Sequence, residues 1–424
     1  MSQNKNGNMI AIITMCFIFA MISFVTNMAA PFGNLWSYTY NWAGMMGNMM
    51  NFAAYLFMGI PAGKMLVKYG YKKTALIALA VGVIGLFVQY LSSTVGAETV
   101  VTTIKEQPVM LNLFIYLLGA FICGFCVCML NTVVNPMLNL LGGGGNRGNQ
   151  LLQIGGTLNS LTGTLTPLLT GLLVGELSKN TSMTDVCPLI FIGMGVFATS
   201  FVIISFVSIP EPQSTTTEQK FEHSPWSFRH CVLGVIAIFF YVGVEIGIPG
   251  QLNAYLSKFE GEGWAAVAGS FASAYWFLMM CGRFLSSFLS GKISTKVQMV
   301  SVSTLAIALL LIAIFLPTSI TTNIMDHDVP VKCFFIAACG ICTSIMWGGI
   351  FNLATEGLGK YTAAASGIFM MMVVGGGVMP LIQDFIAQSV NPIFSYWLVV
   401  AMLAYILYYA LIGCKNVNKD IPVE

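Results

Sequence analysis

The stretch GFCVCMLNTVVNPMLNLLGGGGNRGNQLLQIGGTLNSLTGTLTPLLTG, residues 124 to 171, decides the reading of this chain. It opens as an apolar helix carrying Asn131, Asn135 and Pro136. A glycine run, Gly142 to Gly145, breaks that helix, and Arg147 follows. A second apolar helix then carries Gln153, Gly155, Gly156, Thr157, Asn159 and Pro167. Each half is about as long as a membrane span, roughly 20 residues. Two helices fit for lipid, studded with neutral amides and joined by a basic hairpin, point to a path for a polar solute through a membrane.

Composition agrees. Hydrophobic residues make up 57% of the 424 positions and charged residues 8%, against about 25% charged in soluble domains. A chain with so little charge needs lipid as solvent for most of its surface. The net charge of +2 argues against nucleic acid as a partner. Met1 to Asn8 is short and polar and leads into an apolar run of full span length with no small-residue cleavage site, which reads as a retained first helix and not as a signal peptide. The cysteines number 11, mostly inside apolar runs. Cys123 with Cys126, and Cys339 with Cys342, have C-x-x-C spacing, but on helices without a nearby His they read as small packing residues rather than as a metal or redox site.

Apolar runs of span length occur at 9–36, 42–66, 74–93, 111–140, 150–176, 188–209, 230–257, 264–290, 298–317, 331–353, 363–388 and 393–413. The longest polar interruption, 210–229, contains Glu-Pro-Gln and then Ser-Thr-Thr-Thr, and reads as a flexible linker. With both termini placed in the cytoplasm, every Lys and Arg except Lys105, Lys179, Lys258 and Lys332 falls on the cytoplasmic side. That bias supports the span count, because one missed helix would scramble it.

The halves also repeat. Cys123-Gly124-Phe125-Cys126 recurs as Cys339-Gly340-Ile341-Cys342. Pro167-Leu168-Leu169 recurs as Pro380-Leu381-Ile382, and Asn27 with Pro31 recurs as Glu245 with Pro249. Matches in order at nearly one offset indicate parallel repeats. The expected fold is therefore all-α and integral to the membrane: twelve transmembrane helices in two six-helix pseudo-repeats, over 1–209 and 230–424, joined by the cytoplasmic linker 210–229. Two such bundles rocking around a central site make a transporter.

An ionisable group inside a span is expensive and is a functional hypothesis by default. The first half has none in mid-span. The second has Glu245, near the middle of span seven and flanked by Gly243, Gly247, Pro249 and Gly250, which loosen a helix and free carbonyls. Glu245 reads either as a carboxylate that binds a coupling cation or sugar hydroxyl, or as a structural carboxylate bonded to a neighbouring helix. Proton coupling requires desolvation to favour its neutral form; sodium coupling requires it ionised beside carbonyls. Asp384, towards the outer end of span eleven, is a second coupling candidate with an interfacial role as its alternative. The amides Asn27, Asn131, Asn135, Gln153, Asn159, Gln251, Asn253, Asn352 and Gln383 both donate and accept, as sugar hydroxyls do. Tyr275, Trp276 and Trp347 supply faces for the C–H surface of a sugar ring. The alternative for any one amide is a helix-to-helix bond. Asn131 and Asn135 are four apart, share a helix face and so favour a common role.

Several motifs bear a family resemblance. Tyr275-Trp276 with Met280, Gly282, Arg283 and Phe284, Ser344-Ile345-Met346-Trp347 with Ile350-Phe351, Gly357-Leu358-Gly359-Lys360-Tyr361-Thr362, and Gly375-Gly376-Gly377 with Pro380 resemble spans eight, ten and eleven of the major facilitator superfamily. The resemblance is strongest to its fucose and glucose/galactose permeases. Tyr241-Val242-Gly243 with Glu245, Asn135-Pro136 and Asn159-Ser160 extend the likeness to nearly the whole chain. It implies that the amide-bearing spans line a central cavity. It also implies that Arg283 belongs to a cytoplasmic gate, with Lys64 and Lys68 as its counterpart in the first half, where a simple positive-inside role serves equally. The chain departs from the family where a carboxylate usually precedes Asn-Pro by four residues and Asn131 stands instead. No acid lies within Asn27 to Asn34, Gly156 precedes Thr157 where a Gln is usual, and Val67 takes the place of an Asp in the loop between spans two and three.

The expected function is import of a neutral monosaccharide, a hexose or deoxyhexose such as fucose, glucose or galactose, by alternating access with H+ or Na+ as coupling ion and no other cofactor. The protein is expected to be a monomer in a bacterial inner membrane, multi-pass, with both termini cytoplasmic. The alternatives are a uniporter, or a transporter of the same fold for an amino sugar, sialic acid or drug. No fixed cation is placed in the cavity by this reading, which disfavours an anionic substrate. An intramembrane enzyme is disfavoured because His223, His230 and His327 all lie outside the span interiors.

Overall fold

The computed structural model describes the chain except residues 1, 41–42, 44–45, 105, 175–180, 210, 212–222, 257, 260–262, 419 and 424; the side chains of 2–8, 29–31, 33–34, 37–38, 167–174 and 265–266 are also outside the description. Most of the expected linker, and Lys105, Lys179, Lys220 and Lys419 of the charge argument, lie outside the described residues.

The helices follow the apolar runs. They are α1 (Ser2–Thr39), α2 (Met46–Thr94), α3 (Leu111–Leu141), α4 (Gly145–Val174), α5 (Cys187–Phe206), α6 (Arg229–Leu256), α7 (Trp264–Leu289), α8 (Thr295–Phe315), α9 (Lys332–Thr343), α10 (Met346–Thr355), α11 (Thr362–Met371), α12 (Gly375–Ser389) and α13 (Tyr396–Tyr408). Among the described residues nine helical stretches are long and apolar enough to cross a membrane. The 49-residue α2 supplies two spans, since Gly70 sits inside it with φ 81° and ψ 178°. An L-residue with a side chain rarely adopts that conformation, so the chain reverses there while both flanks stay helical. With α4 at 30 residues and α7 at 26, and with α9–α10 and α11–α12 each forming one interrupted span, the total is twelve. The protein is a multi-pass membrane protein. Its outward side chains fit that solvent: Phe57, Phe206, Phe277, Phe288, Phe315 and Phe385 are all exposed.

Two features lie beyond the apolar pattern. Short antiparallel hairpins, β1 (Val100–Ile104) with β2 (Gln107–Met110) and β3 (Thr321–Ile324) with β4 (His327–Pro330), occupy matching places in the two halves, before spans four and ten. Span ten breaks between α9 and α10 at Ser344–Ile345, where cross-helix side chains take the loosened carbonyls.

By contacts the chain divides into two units. One comprises Met1–Met137, Leu161–Lys220 and Ser366–Met371; the other comprises Leu138–Ser160, Phe221–Ala365 and Met372–Glu424. The first is built on α2 against α5, with α1 on both. Cys123 and Cys126 pack there against Gly85 and Gly82, and all 11 cysteines are free thiols. In the second unit α6 is central and touches α7, α9, α10, α12 and α13. Its approach to α12 needs glycine: a Cβ at Gly375 would overlap the Phe239 carbonyl. The segment 138–160, first-half by sequence, is packed with the second unit.

Candidate functional site

Glu245 lies in the interior of α6, four residues before Pro249. Proline has no N–H, so the Glu245 carbonyl loses its ladder partner and the helix is loosened at the carboxylate. The Glu245 side chain meets Arg283 of α7, whose Nη2 donates to Oε1 at 3.1 Å, with side-chain exposures of 16% and 11%. Sequence spacing placed Arg283 near the end of its span. The structure carries the guanidinium inward, because helical side chains tilt towards their own N-terminus. The antiparallel α6 and α7 therefore lean their side chains towards each other. A fixed cation is present after all, already matched by a carboxylate.

Arg283 also donates through Nε to the Ser344 carbonyl at 3.1 Å, and through Nη1 to the Gly156 carbonyl at 3.2 Å and Ser160 Oγ at 2.7 Å. The planar fork suits this use of several acceptors at once, which a lysine point charge could not copy. The Ser344 carbonyl is offered by the break in span ten. The buried Tyr241 hydroxyl faces both Glu245 and Arg283. Trp347 packs on the Tyr241 ring at 6.2 Å between centroids. Trp276, 37% exposed, lies two helical turns from Arg283 on the same stripe of α7 and meets Tyr275 edge-on at 5.4 Å. A charge-compensated pair, a phenol and the Trp347 indole are thus brought together within this unit.

The remaining candidates divide by what they bond. Tyr275 is fully buried and shares a 2.8 Å hydrogen bond with Thr343. Asn352 is 3% exposed and donates to Thr295 Oγ1 at 3.0 Å, fastening α10 to the start of α8. Gln153 donates to Asn149 Oδ1 at 3.3 Å and to the Ile345 carbonyl at 3.2 Å. Gln383 is fully buried against Gly247, with neither side-chain polar atom bonded to another group. Gln251 donates to Asp384 Oδ1 at 3.1 Å, and Gln388 donates to the other oxygen of the same carboxylate. Asn253 is half-buried one turn from the end of α6, and Asn159 is half-buried beside Ser160.

In the other unit Asn131 donates to the Tyr55 hydroxyl at 3.0 Å and to the Val127 carbonyl at 3.1 Å. Asn135 donates to the Asn131 carbonyl at 2.8 Å, so the two amides form one ladder on α3. Asn27 donates to Ser23 and lies against Gly163. Lys64 and Lys68 are exposed, Lys68 over the Tyr69 ring. Beside them Glu211 accepts from the backbone N–H of Tyr71 at 2.7 Å and of Lys72 at 2.9 Å, clasping the N-terminal end of the helix that starts after Gly70. Sequence reading named Tyr241 and Ser160 only within motifs, with no role at the site, and missed Tyr55 and Glu211. The role of Tyr241 could have been found, since it lies one turn before Glu245; the others are joined to their partners only by folding.

The chain as a whole is similar to known transporters. The chain is 28% identical over 427 residues to a protein of Brucella abortus biovar 1 (strain 9-941) named "Glucose/galactose transporter", covering 98% of this chain and 96% of the relative. It is 23% identical to the "L-fucose-proton symporter" of Escherichia coli K12, covering 92% and 89%. The crystal structure of the E. coli fucose:proton symporter superposes with a TM-score of 0.79 at 20% identity, over 95% of this chain and 98% of that one. The model of the Major Facilitator Superfamily matches residues 9–380. This chain belongs to the Major Facilitator Superfamily, whose members are transporters and not enzymes.

Proposed function

We propose that the protein imports a neutral monosaccharide, a hexose or deoxyhexose such as glucose, galactose or fucose, by alternating access. The observation that carries the reading is the charge-compensated Arg283–Glu245 pair beside Tyr241, on whose ring Trp347 packs. A site whose cation is already matched has little use for an anionic solute. It offers hydrogen-bond donors and acceptors beside apolar rings, which is what a polyhydroxylated ring with C–H faces requires. The printed names of relatives aligned over almost the full chain support the same substrate class.

Glu245 is the coupling group in this proposal. Binding of a proton neutralises it and loosens Arg283; binding of Na+ would instead keep it ionised. The proton is favoured because Arg283 already occupies one carboxylate oxygen. Asn159 and Trp276 are sugar-binding groups of this unit and Asn131 is the first unit's candidate, and Arg283 links the coupling group to α4. Asp384, with both oxygens bonded to glutamines, belongs to the rim of this proposal and not to its centre. The protein acts as a monomer in a bacterial inner membrane, with both termini in the cytoplasm.

Uptake by purified protein in liposomes tests this. A panel of monosaccharides is offered with and without proton and sodium gradients, to wild type and to Glu245→Gln. Accumulation of a hexose or deoxyhexose, driven by a proton gradient and reduced to equilibration in Glu245→Gln, is expected. Uptake of no such sugar under any gradient would remove the substrate assignment; undiminished accumulation in the variant would remove Glu245.

A further inference from the structure

Segment 138–160 belongs to the first repeat by sequence, yet it is packed with the helices of the second. Arg283 holds one end of it, at Gly156 and Ser160; the end nearer the Gly142–Gly145 turn is fastened without charge. Asn149 Nδ2 donates to Ser290 Oγ at 3.2 Å. Ser290 Oγ and Ser286 Oγ lie 2.9 Å apart and 3.0 and 3.2 Å from Gln298 Oε1, so their two protons are shared among these three contacts. Gln298 closes that limb by donating to the Ile293 carbonyl at 2.8 Å. On its other side Asn149 Oδ1 accepts from Gln153, which reaches the Ile345 carbonyl at the break in span ten. Asn149 is 1% exposed, Ser290 0% and Gln153 2%. Every member of the relay is neutral, and Asn149 is the one side chain that joins both limbs.

The physics of such a fastening differs from that of an ion pair. A buried ion pair is costly to break because each charge is left desolvated. A neutral amide trades a protein partner for water at a small net cost. A chain that must populate two arrangements needs a small difference between them, and neutral bonds supply one. They are also indifferent to ionic strength, whereas exposed charges are screened by salt.

We propose that Asn149 is a gating residue: through neutral bonds to Ser290 and Gln153 it holds shut the end of the transport path that carries the Gly142–Gly145 turn. The assignment rests on the alternating-access reading, though its test needs no sugar. Hydrogen–deuterium exchange of the full chain in nanodiscs reads the opening of residues 286–298 directly. Wild type exchanges slowly there, at the same rate in low and high NaCl. Asn149→Ala speeds exchange over 286–298 by about tenfold, corresponding to the loss of roughly one to two such bonds, and leaves α12 and α13 at wild-type rates. Asn149→Ser, which keeps a donor and an acceptor, moves the rate back towards wild type. Gln298→Met, which breaks only one limb, gives a smaller acceleration of about threefold and serves if the alanine variant does not fold. Unchanged exchange over 286–298 in either variant, acceleration spread equally over all helices, or wild-type opening that rises with salt would each overturn the assignment. A positive exchange result with no sugar uptake would leave the gate standing and remove the sugar; uptake with unchanged exchange would do the reverse.

Discussion

Two mid-span clusters can be set side by side. In the first repeat, Asn131, Asn135 and Tyr55 form a ladder of neutral bonds. In the second, Glu245, Arg283 and Tyr241 form a charged cluster that reaches Gly156 and Ser160. The repeats share ancestry of shape, as the paired hairpins and the recurrent C-G-x-C segments indicate, yet only one holds charge at this depth among the described residues. Under the proposed function the difference separates two tasks. Neutral amides hold a solute by matching hydroxyls and give no leverage to an ion gradient. A carboxylate within reach of a cation changes its bonding when its charge changes, which is why the proposal puts coupling on that side.

The comparison can be broken most forcefully at Arg283. Arg283→Met leaves the Glu245 carboxylate buried without its cation, which costs about 3–5 kcal/mol. It also removes the donors to Ser344, Gly156 and Ser160. Loss of transport together with a large drop in thermal stability is expected, and paired removal in Arg283→Met/Glu245→Gln should recover much of the stability. Thermal unfolding followed by tryptophan fluorescence measures both; no recovery in the double variant would mean that the pair is not the dominant interaction.

Asn131→Ala is the matched experiment in the first repeat. It should raise the KM for sugar about tenfold, the value of roughly 1.4 kcal/mol of lost hydrogen bonding. The ratio of accumulated to external sugar at saturating substrate should stay dependent on the imposed gradient. A loss of that dependence would erase the division of tasks. Trp276→Ala should raise KM about fivefold by removing an aromatic face, and Trp276→Phe should recover part of it, as read by initial uptake rates. Glu211→Ala should have the smallest effect, a severalfold faster amide exchange at Tyr71 and Lys72 with little change elsewhere, detected by the same exchange method used for the gate.

The span pattern was legible because lipid is a uniform solvent: each crossing must be apolar, and each leaves a run that can be counted. Glu245 was legible for the converse reason, since a carboxylate in such a run stands out. Arg283 was legible as a residue but not in its place, because its long side chain carries the charge several ångströms from its backbone, in the direction set by the helix. Asn352 and Tyr275 look the same in sequence as amides and phenols that face a solute; only the positions of Thr295 and Thr343 distinguish them. The interruption in α2 at Gly70 shows the limit in another form. Polar residues over 67–73 suggested a loop, yet the segment is helical on both sides of a single residue with positive φ.

The Glu211 clasp has a consequence for how chains of this kind are recognised. The family resemblance implies an acid within the loop between spans two and three, where this chain has Val67. Here a carboxylate is delivered to that neighbourhood from a residue 140 positions further on. A pattern written along the sequence would score the acid as lost, while a pattern written in space would find it beside Tyr71. The corner thus carries an electrostatic address that is written in the fold and not as a letter in the string.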